Sequence, residues 1–154
     1  MMLELHNVAI RPLVNPVSLI VREGQLACVE GQPRAGKTTL LRAVLGFLPI
    51  DCGHISIDGE LLTPQSAPYF RRFMAYVPQR LSLPDGYDQV PTDYVQLLKR
   101  AVLAGKPLLL VDEPPAPLAE EAAQIAARLL QEAVRHGAAV VAVNSGDTQN
   151  IIQL

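Results

Sequence analysis

Residues 31–39 read Gly-Gln-Pro-Arg-Ala-Gly-Lys-Thr-Thr and match every fixed position of the pattern G-x-x-x-x-G-K-[ST]. The apolar run 26–29 precedes them and the mainly apolar segment 40–45 follows, which predicts a strand, a tight turn and a helix in that order. Glycines let the backbone approach an anion closely, and the start of a helix adds unpaired N–H groups and the positive end of its dipole. The sequence therefore predicts a phosphate-binding loop.

Each polar residue of this loop has an expected role toward a nucleotide with Mg²⁺. Lys37 can reach the β- and γ-phosphates as a point charge, and the Thr38 hydroxyl can bind Mg²⁺. The alternative is a chance Gly-Gly-Lys-Thr turn between a strand and a helix, which the strand–loop–helix context disfavours. The predicted nucleotide-binding residues are Gly31, Arg34, Ala35, Gly36, Lys37, Thr38 and Thr39.

Composition limits the class of protein. The chain has 154 residues, of which 49% are hydrophobic and 18% charged, and this is typical of a globular protein. Its net charge of −2 predicts no nucleic-acid partner, and from its first residues and its short apolar runs we expect neither a secretory signal nor a membrane-spanning segment. Cys28 and Cys52 form no metal-ligand spacing. We therefore expect a cytoplasmic protein.

The rest of the chain alternates between strand-like and helix-like spacing. We predict strands over 3–10, 17–21, 53–60, 108–111 and 138–143 and a short one within 71–79; helices from the loop to about 47, over 92–105 and over 120–136; and loops over 64–68 and 81–91. The strands 3–10 and 17–21 are expected to pair as edge strands. The pattern predicts an α/β fold with a largely parallel sheet flanked by helices and a small N-terminal antiparallel β portion.

A second candidate site lies where the apolar strand 108–111 ends in Asp112 and Glu113. A carboxylate at such a strand end can hold Mg²⁺ opposite a phosphate-binding loop, while its neighbour orients or deprotonates water. Taken alone, the pair fits a solvated strand end better. Together with the loop, it predicts Asp112 as a metal residue and Glu113 as the catalytic base.

At this point the chain resembles the nucleotide-binding domain of an ATP-binding-cassette (ABC) ATPase, a P-loop NTPase. The matching segments follow in order: the first strand, Val17-Ser18-Leu19, Glu23-Gly24-Gln25, the Walker A loop 31–39, residues 53–59, Tyr76-Val77-Pro78-Gln79 resembling the Q-loop, and residues 108–114 resembling Walker B. The resemblance implies ATP and Mg²⁺ as ligands. It also implies that Gln79 contacts Mg²⁺ or the attacking water and signals to a membrane-protein or other ABC-subunit partner.

The chain also departs from the family pattern. Between Gln79 and Asp112 the family has a helical subdomain and a Leu-Ser-Gly-Gly-Gln signature, whereas residues 89–93 here contain no glycine, so we predict that the subdomain is largely absent between 80 and 105. An aspartate such as Asp93 would repel the γ-phosphate of a second subunit. The D-loop aspartate and the switch histidine of the family are missing as well.

These features lead to one main hypothesis and two alternatives. We expect residues 1–154 to form a single, shortened ABC-type domain that binds ATP, with slow hydrolysis at most, as the nucleotide-binding subunit of a transporter-like complex. It would lie in the cytoplasm, or at the inner face of a membrane through its partner. The usual homodimeric ATP sandwich is not expected. The alternatives are a non-catalytic regulatory or assembly module and a standalone P-loop hydrolase outside transport.

Overall fold

The computed structural model describes residues 1–12, 14–30, 36–78, 93–114, 118–144 and 151–153. The elements in these ranges are β1 (Leu3–Ile10), β2 (Val14–Val21), β3 (Leu26–Glu30), α1 (Lys37–Val44), β4 (Cys52–Ile57), β5 (Glu60–Leu61), α2 (Ala67–Arg71), β6 (Met74–Val77), α3 (Tyr94–Leu103), β7 (Leu108–Val111), α4 (Glu120–Arg135), β8 (Ala139–Asn144) and β9 (Ile151–Gln153).

A parallel sheet forms the larger layer, with the strand order β6-β7-β8-β3-β9. Its strands are short apolar runs, as expected for strands covered on both faces. β7 alternates between the two faces: Leu108 and Leu110 pack toward α1 and the second sheet, whereas Leu109 and Val111 pack toward α3 and α4. This alternation gives the sheet one apolar core on each face. The predicted largely parallel sheet is confirmed.

The second sheet is antiparallel, with the order β2-β1-β4-β5. The predicted pairing of the first two strands is confirmed, for example by Leu5 opposite Leu19. The prediction that both are edge strands was wrong for β1, because β4 pairs with its other side and places Ile55 opposite Leu5. All three side chains are buried in the core shared with α1. The predicted strand 53–60 is in fact a hairpin, β4 and β5, joined at an Asp-Gly turn.

Two helices differ from the sequence prediction. α1 ends at Val44, three residues before the predicted end, and Gly46 follows in the left-handed region with a φ of 84°. The segment predicted as a loop over 64–68 contains the start of α2. Pro68 is compatible with this helix because a proline in the first turn removes an N–H that has no partner within the helix. The limits of α3 and α4 agree with prediction within two residues.

Candidate functional site

The candidate site lies at the carboxyl ends of β3 and β7, which are separated by β8 in the sheet. Gly36 is the N-cap of α1 and has a φ of 84°, a left-handed conformation that glycine adopts without strain. Its carbonyl accepts a hydrogen bond from the Leu40 N–H at 2.8 Å, so the helix begins directly after it. This geometry places Lys37 and Thr38 in the first turn of α1, facing the end of β7.

Thr38 and Asp112 are in direct contact. The Thr38 hydroxyl donates to Asp112 Oδ2 at 2.7 Å, and the Glu113 N–H donates to Asp112 Oδ1 at 2.9 Å. The Asp112 residue is only 1% exposed. Burial raises the pKa of its carboxyl, and the Glu113 charge adds to this, while the two hydrogen bonds and the Lys37 charge oppose it. The structure therefore holds a buried carboxylate against the hydroxyl that sequence reasoning assigned to Mg²⁺.

Lys37 and Glu113 form the second contact across the site. The Lys37 ammonium lies 3.4 Å from Glu113 Oε1, and the two side chains are 5% and 18% exposed. Ion pairs with so little solvent around them are screened far less by salt than surface pairs. The predicted phosphate-binding lysine and the predicted base thus face each other between α1 and the end of β7.

Several predicted site residues lie outside the described part of the chain, and their roles stay predictions: Gly31, Arg34, Ala35 and Gln79. Thr39 lies in the first turn of α1 and is partly buried. Thr92, a residue type typical of an N-cap at the start of the predicted helix 92–105, also lies outside the described residues. Asp93 is the N-cap of α3, and its carboxylate accepts a hydrogen bond from the Val95 N–H at 3.0 Å.

Three residues near the site were not predicted as site residues from the sequence. The buried Tyr94 hydroxyl donates to the Asp112 carbonyl, and burial with the charges of Asp112 and Glu113 raises the pKa of this phenol, so it stays a donor at neutral pH. Burial and the Asp112 charge also raise the pKa of Tyr76, while the charge of Arg42 lowers it. Glu30 ends β3 and is 8% exposed, directly before the loop. Glu30 could have been noticed in the sequence, because it is a charged residue at the end of an apolar strand.

The donor set fits a divalent ion that is shared with a phosphate ligand. Hydroxyl and carboxylate oxygens are the protein ligands that Mg²⁺ prefers, and Thr38 and Asp112 offer one of each. Among the described residues no three His, Cys, Asp or Glu side chains are grouped so that they could hold a metal by themselves. A Mg²⁺ ion at this position would therefore complete its shell with water and phosphate oxygens, as is common for nucleotide-bound Mg²⁺.

Comparison with known proteins agrees with this geometry. The family model described as ABC transporter matches residues 14–96, which is more than half of the chain. The chain therefore belongs to the ABC transporter family, and the resemblance seen in the sequence is confirmed. Within the described ranges, no helix is both long enough and apolar enough to cross a membrane.

Individual relatives align with only part of this chain. The chain is 38% identical over 96 residues to the manganese transport system ATP-binding protein MntB of Bacillus subtilis, covering 60% of this chain and 36% of the relative. It is 39% identical over 70 residues to the Fe(3+) ions import ATP-binding protein FbpC of Pseudomonas fluorescens, covering 44% and 20%. The chain thus spans about a third or less of the length of these relatives.

Solved structures show the same fold at low sequence identity. An ATP-binding subunit of an ABC transporter superposes with a TM-score of 0.75 at 19% identity, covering 94% of this chain and 80% of that one. A putative ABC transporter ATP-binding protein from Pyrococcus furiosus gives a TM-score of 0.78 at 13% identity, covering 100% and 98%. The predicted P-loop NTPase fold is therefore confirmed.

Proposed function

We propose that this chain binds ATP together with Mg²⁺ and serves as the nucleotide-binding part of an ABC transporter complex. The observation that carries the proposal is the convergence of two pairs at one sheet edge: Thr38 with Asp112 at 2.7 Å and Lys37 with Glu113 at 3.4 Å. A buried lysine and a hydroxyl at the start of α1, opposite two carboxylates at the end of β7, form an arrangement suited to a phosphate group with a divalent cation.

Each residue has a definite part in this proposal. Lys37 and the amides of the loop over 31–36 hold the phosphates, and Thr38 and Asp112 hold Mg²⁺, with Gln79 as a further metal residue. When bound, Mg²⁺ would neutralise phosphate charge. Glu113 faces Lys37 and would orient or deprotonate a water molecule beside the terminal phosphate; its position next to Asp112 supports this role.

Binding is better supported than turnover, and this keeps a non-catalytic module as the second candidate. The Asp93 carboxylate accepts a hydrogen bond from the Val95 N–H at the N-terminus of α3. By the family resemblance, this is the position of the signature segment. A carboxylate there opposes the approach of a γ-phosphate from a second subunit, because like charges repel at short range. A chain that binds ATP and regulates or assembles a complex without hydrolysing it would show the same features.

The partner in this proposal is a membrane component of a transporter, which would place the chain at the cytoplasmic face of a membrane. The support is family membership, together with relatives whose names describe import or transport. Those names refer to different cargoes, manganese and Fe(3+), so they suggest no cargo for this chain.

Calorimetric titration with ATP, in Mg²⁺ and in EDTA, tests the proposal directly. The parent chain is expected to bind ATP, and Lys37→Ala is expected to lower the affinity by about tenfold or more, since a charge-assisted contact to phosphate is lost. Lys99→Ala is the matched control, because Lys99 is exposed on α3, and it should bind like the parent. No binding by the parent, or equal binding by Lys37→Ala, would show that the proposal is wrong.

A further inference from the structure

Tyr94 connects the start of α3 to the end of β7. It is the first residue of α3, its side chain is 7% exposed, and its ring belongs to the apolar cluster that contains Leu98, Leu109 and Val111. From this position its hydroxyl donates to the main-chain carbonyl of Asp112. The packed ring limits where the hydroxyl can lie, and the hydrogen bond in turn restrains the Asp112 carbonyl.

The restrained carbonyl belongs to the peptide unit between Asp112 and Glu113. The N–H of the same unit, that of Glu113, donates to Asp112 Oδ1 at 2.9 Å. A peptide unit is planar, so holding its C=O and its N–H together fixes the orientation of the whole plane. The N–H of Asp112 is also bound, to the Val77 carbonyl at 2.9 Å. Rotation of this unit would therefore break hydrogen bonds and would move both carboxylates.

We propose that Tyr94 is a positioning residue for the metal-dependent part of nucleotide binding, acting through the peptide unit between Asp112 and Glu113. The inference rests on the proposed function, because it assumes that Asp112 faces a bound Mg²⁺ ion. Tyr94 itself does not contact the Thr38 hydroxyl or the Lys37 ammonium. Its effect should therefore appear in how much Mg²⁺ strengthens ATP binding, and not in the phosphate contacts made by Lys37 and the loop.

Removal of the hydroxyl would leave a buried carbonyl without its donor and free the peptide unit to rotate. Loss of one neutral hydrogen bond of this kind changes an equilibrium by about threefold to tenfold. A general loosening of the core would weaken ATP binding with and without Mg²⁺ alike. A specific positioning role would leave the ATP affinity in EDTA unchanged and would lower the ATP affinity in Mg²⁺.

The test measures ATP affinity by calorimetry in Mg²⁺ and in EDTA for the parent, Tyr94→Phe and Tyr69→Phe. Tyr69→Phe is the matched control, because Tyr69 is 53% exposed on α2. We expect Tyr94→Phe to keep the parent affinity in EDTA and to lose about threefold to tenfold of the strengthening by Mg²⁺. Tyr69→Phe should keep both values. A third variant with 4-aminophenylalanine in place of Tyr94 restores an N–H donor and should recover the parent ratio.

The outcomes separate this inference from the proposed function. If the parent binds no ATP, or gains nothing from Mg²⁺, the proposed nucleotide site is wrong and the role of Tyr94 falls with it. If the parent gains from Mg²⁺ and Tyr94→Phe gains equally, only the positioning role is overturned. If Tyr94→Phe unfolds, the 4-aminophenylalanine variant provides the test. If that variant is folded and Mg²⁺ strengthens its ATP binding less than it does in the parent, the positioning role is also overturned.

Discussion

The Glu113 carboxylate lies 3.4 Å from the Lys37 ammonium, with both side chains largely withdrawn from solvent. An ATP phosphate that approaches Lys37 therefore meets an anion that already faces the lysine. Glu113 must give up part of this interaction, and its charge also repels the phosphates. Under the proposed function, the pair would orient Lys37 before the nucleotide arrives and would lower the affinity for it.

Glu113→Gln is accordingly expected to bind ATP more tightly than the parent, by about twofold to tenfold, because a competing and repelling charge is removed. The measurement is calorimetric titration in EDTA, which isolates the phosphate contacts from those of Mg²⁺. Glu121→Gln, on the exposed side of α4, is the control and should leave the affinity unchanged. Weaker binding by Glu113→Gln would mean that Glu113 supports the site in another way.

Burial of the Asp112 carboxyl predicts a pH-dependent stability effect. Its pKa in the folded protein lies above the ordinary value of 3.8, so the folded state binds this proton more tightly than the unfolded state does. The charged carboxylate therefore lowers the free energy of unfolding at neutral pH, and this destabilisation vanishes below pH 3.8. In EDTA, Asp112→Asn should raise the free energy of unfolding at pH 7, and the gain should shrink as the pH falls. Urea unfolding at several pH values measures this, with the exposed Glu60→Gln as control. A gain that grows toward low pH would contradict it.

The isolated chain is expected to hydrolyse ATP slowly or not at all. Phosphoryl transfer depends on positioned charges, and the trans-acting groups that the family resemblance leads one to expect are missing from this sequence. Phosphate release from the purified chain in Mg-ATP measures the rate. Rapid turnover that Glu113→Gln abolishes and Glu121→Gln preserves would show that the chain completes a catalytic site by another route.

ATP with Mg²⁺ is not expected to drive homodimerisation, even in Glu113→Gln, where slow hydrolysis would otherwise trap a dimer. Each copy would have to present Asp93, at the N-terminus of α3, to the γ-phosphate of the other. Light scattering at micromolar protein should give the same mass with and without nucleotide. A mass that doubles only with ATP would show that α3 can close over a phosphate despite Asp93, and the non-catalytic alternative would lose its main support.

The parts of the site that could be predicted are those governed by local pattern and sheet direction. The motif over 31–39 and the apolar run before Asp112 predict two parallel strands, and the carboxyl ends of parallel strands meet at one edge. The structure brings Thr38 and Asp112 together at that edge. Their roles toward a nucleotide remain predictions.

Other features depend on tertiary contacts that spacing does not reveal. Tyr94 fits an apolar helical stripe, and only the packing of α3 beside β7 shows which carbonyl its hydroxyl reaches. The central place of β1 depends on β4, more than forty residues later. α2 was missed because two prolines within 64–68 favour a loop when tertiary packing is ignored, although Phe70 buries against the core.

The strand that leads into the loop is paired on both sides by the last strands of the described chain. β3 lies between β8 and β9, with Leu26 opposite Val140 and Cys28 opposite Ile151, more than a hundred positions further along the chain. During synthesis on the ribosome, β3 emerges early but finds neither neighbour until these late residues follow. Contacts of such long range form slowly, and an unpaired strand edge can pair with other chains. β3 therefore joins its sheet only after residues 139–153 have been synthesised, and until then both of its edges are open to pairing with other chains.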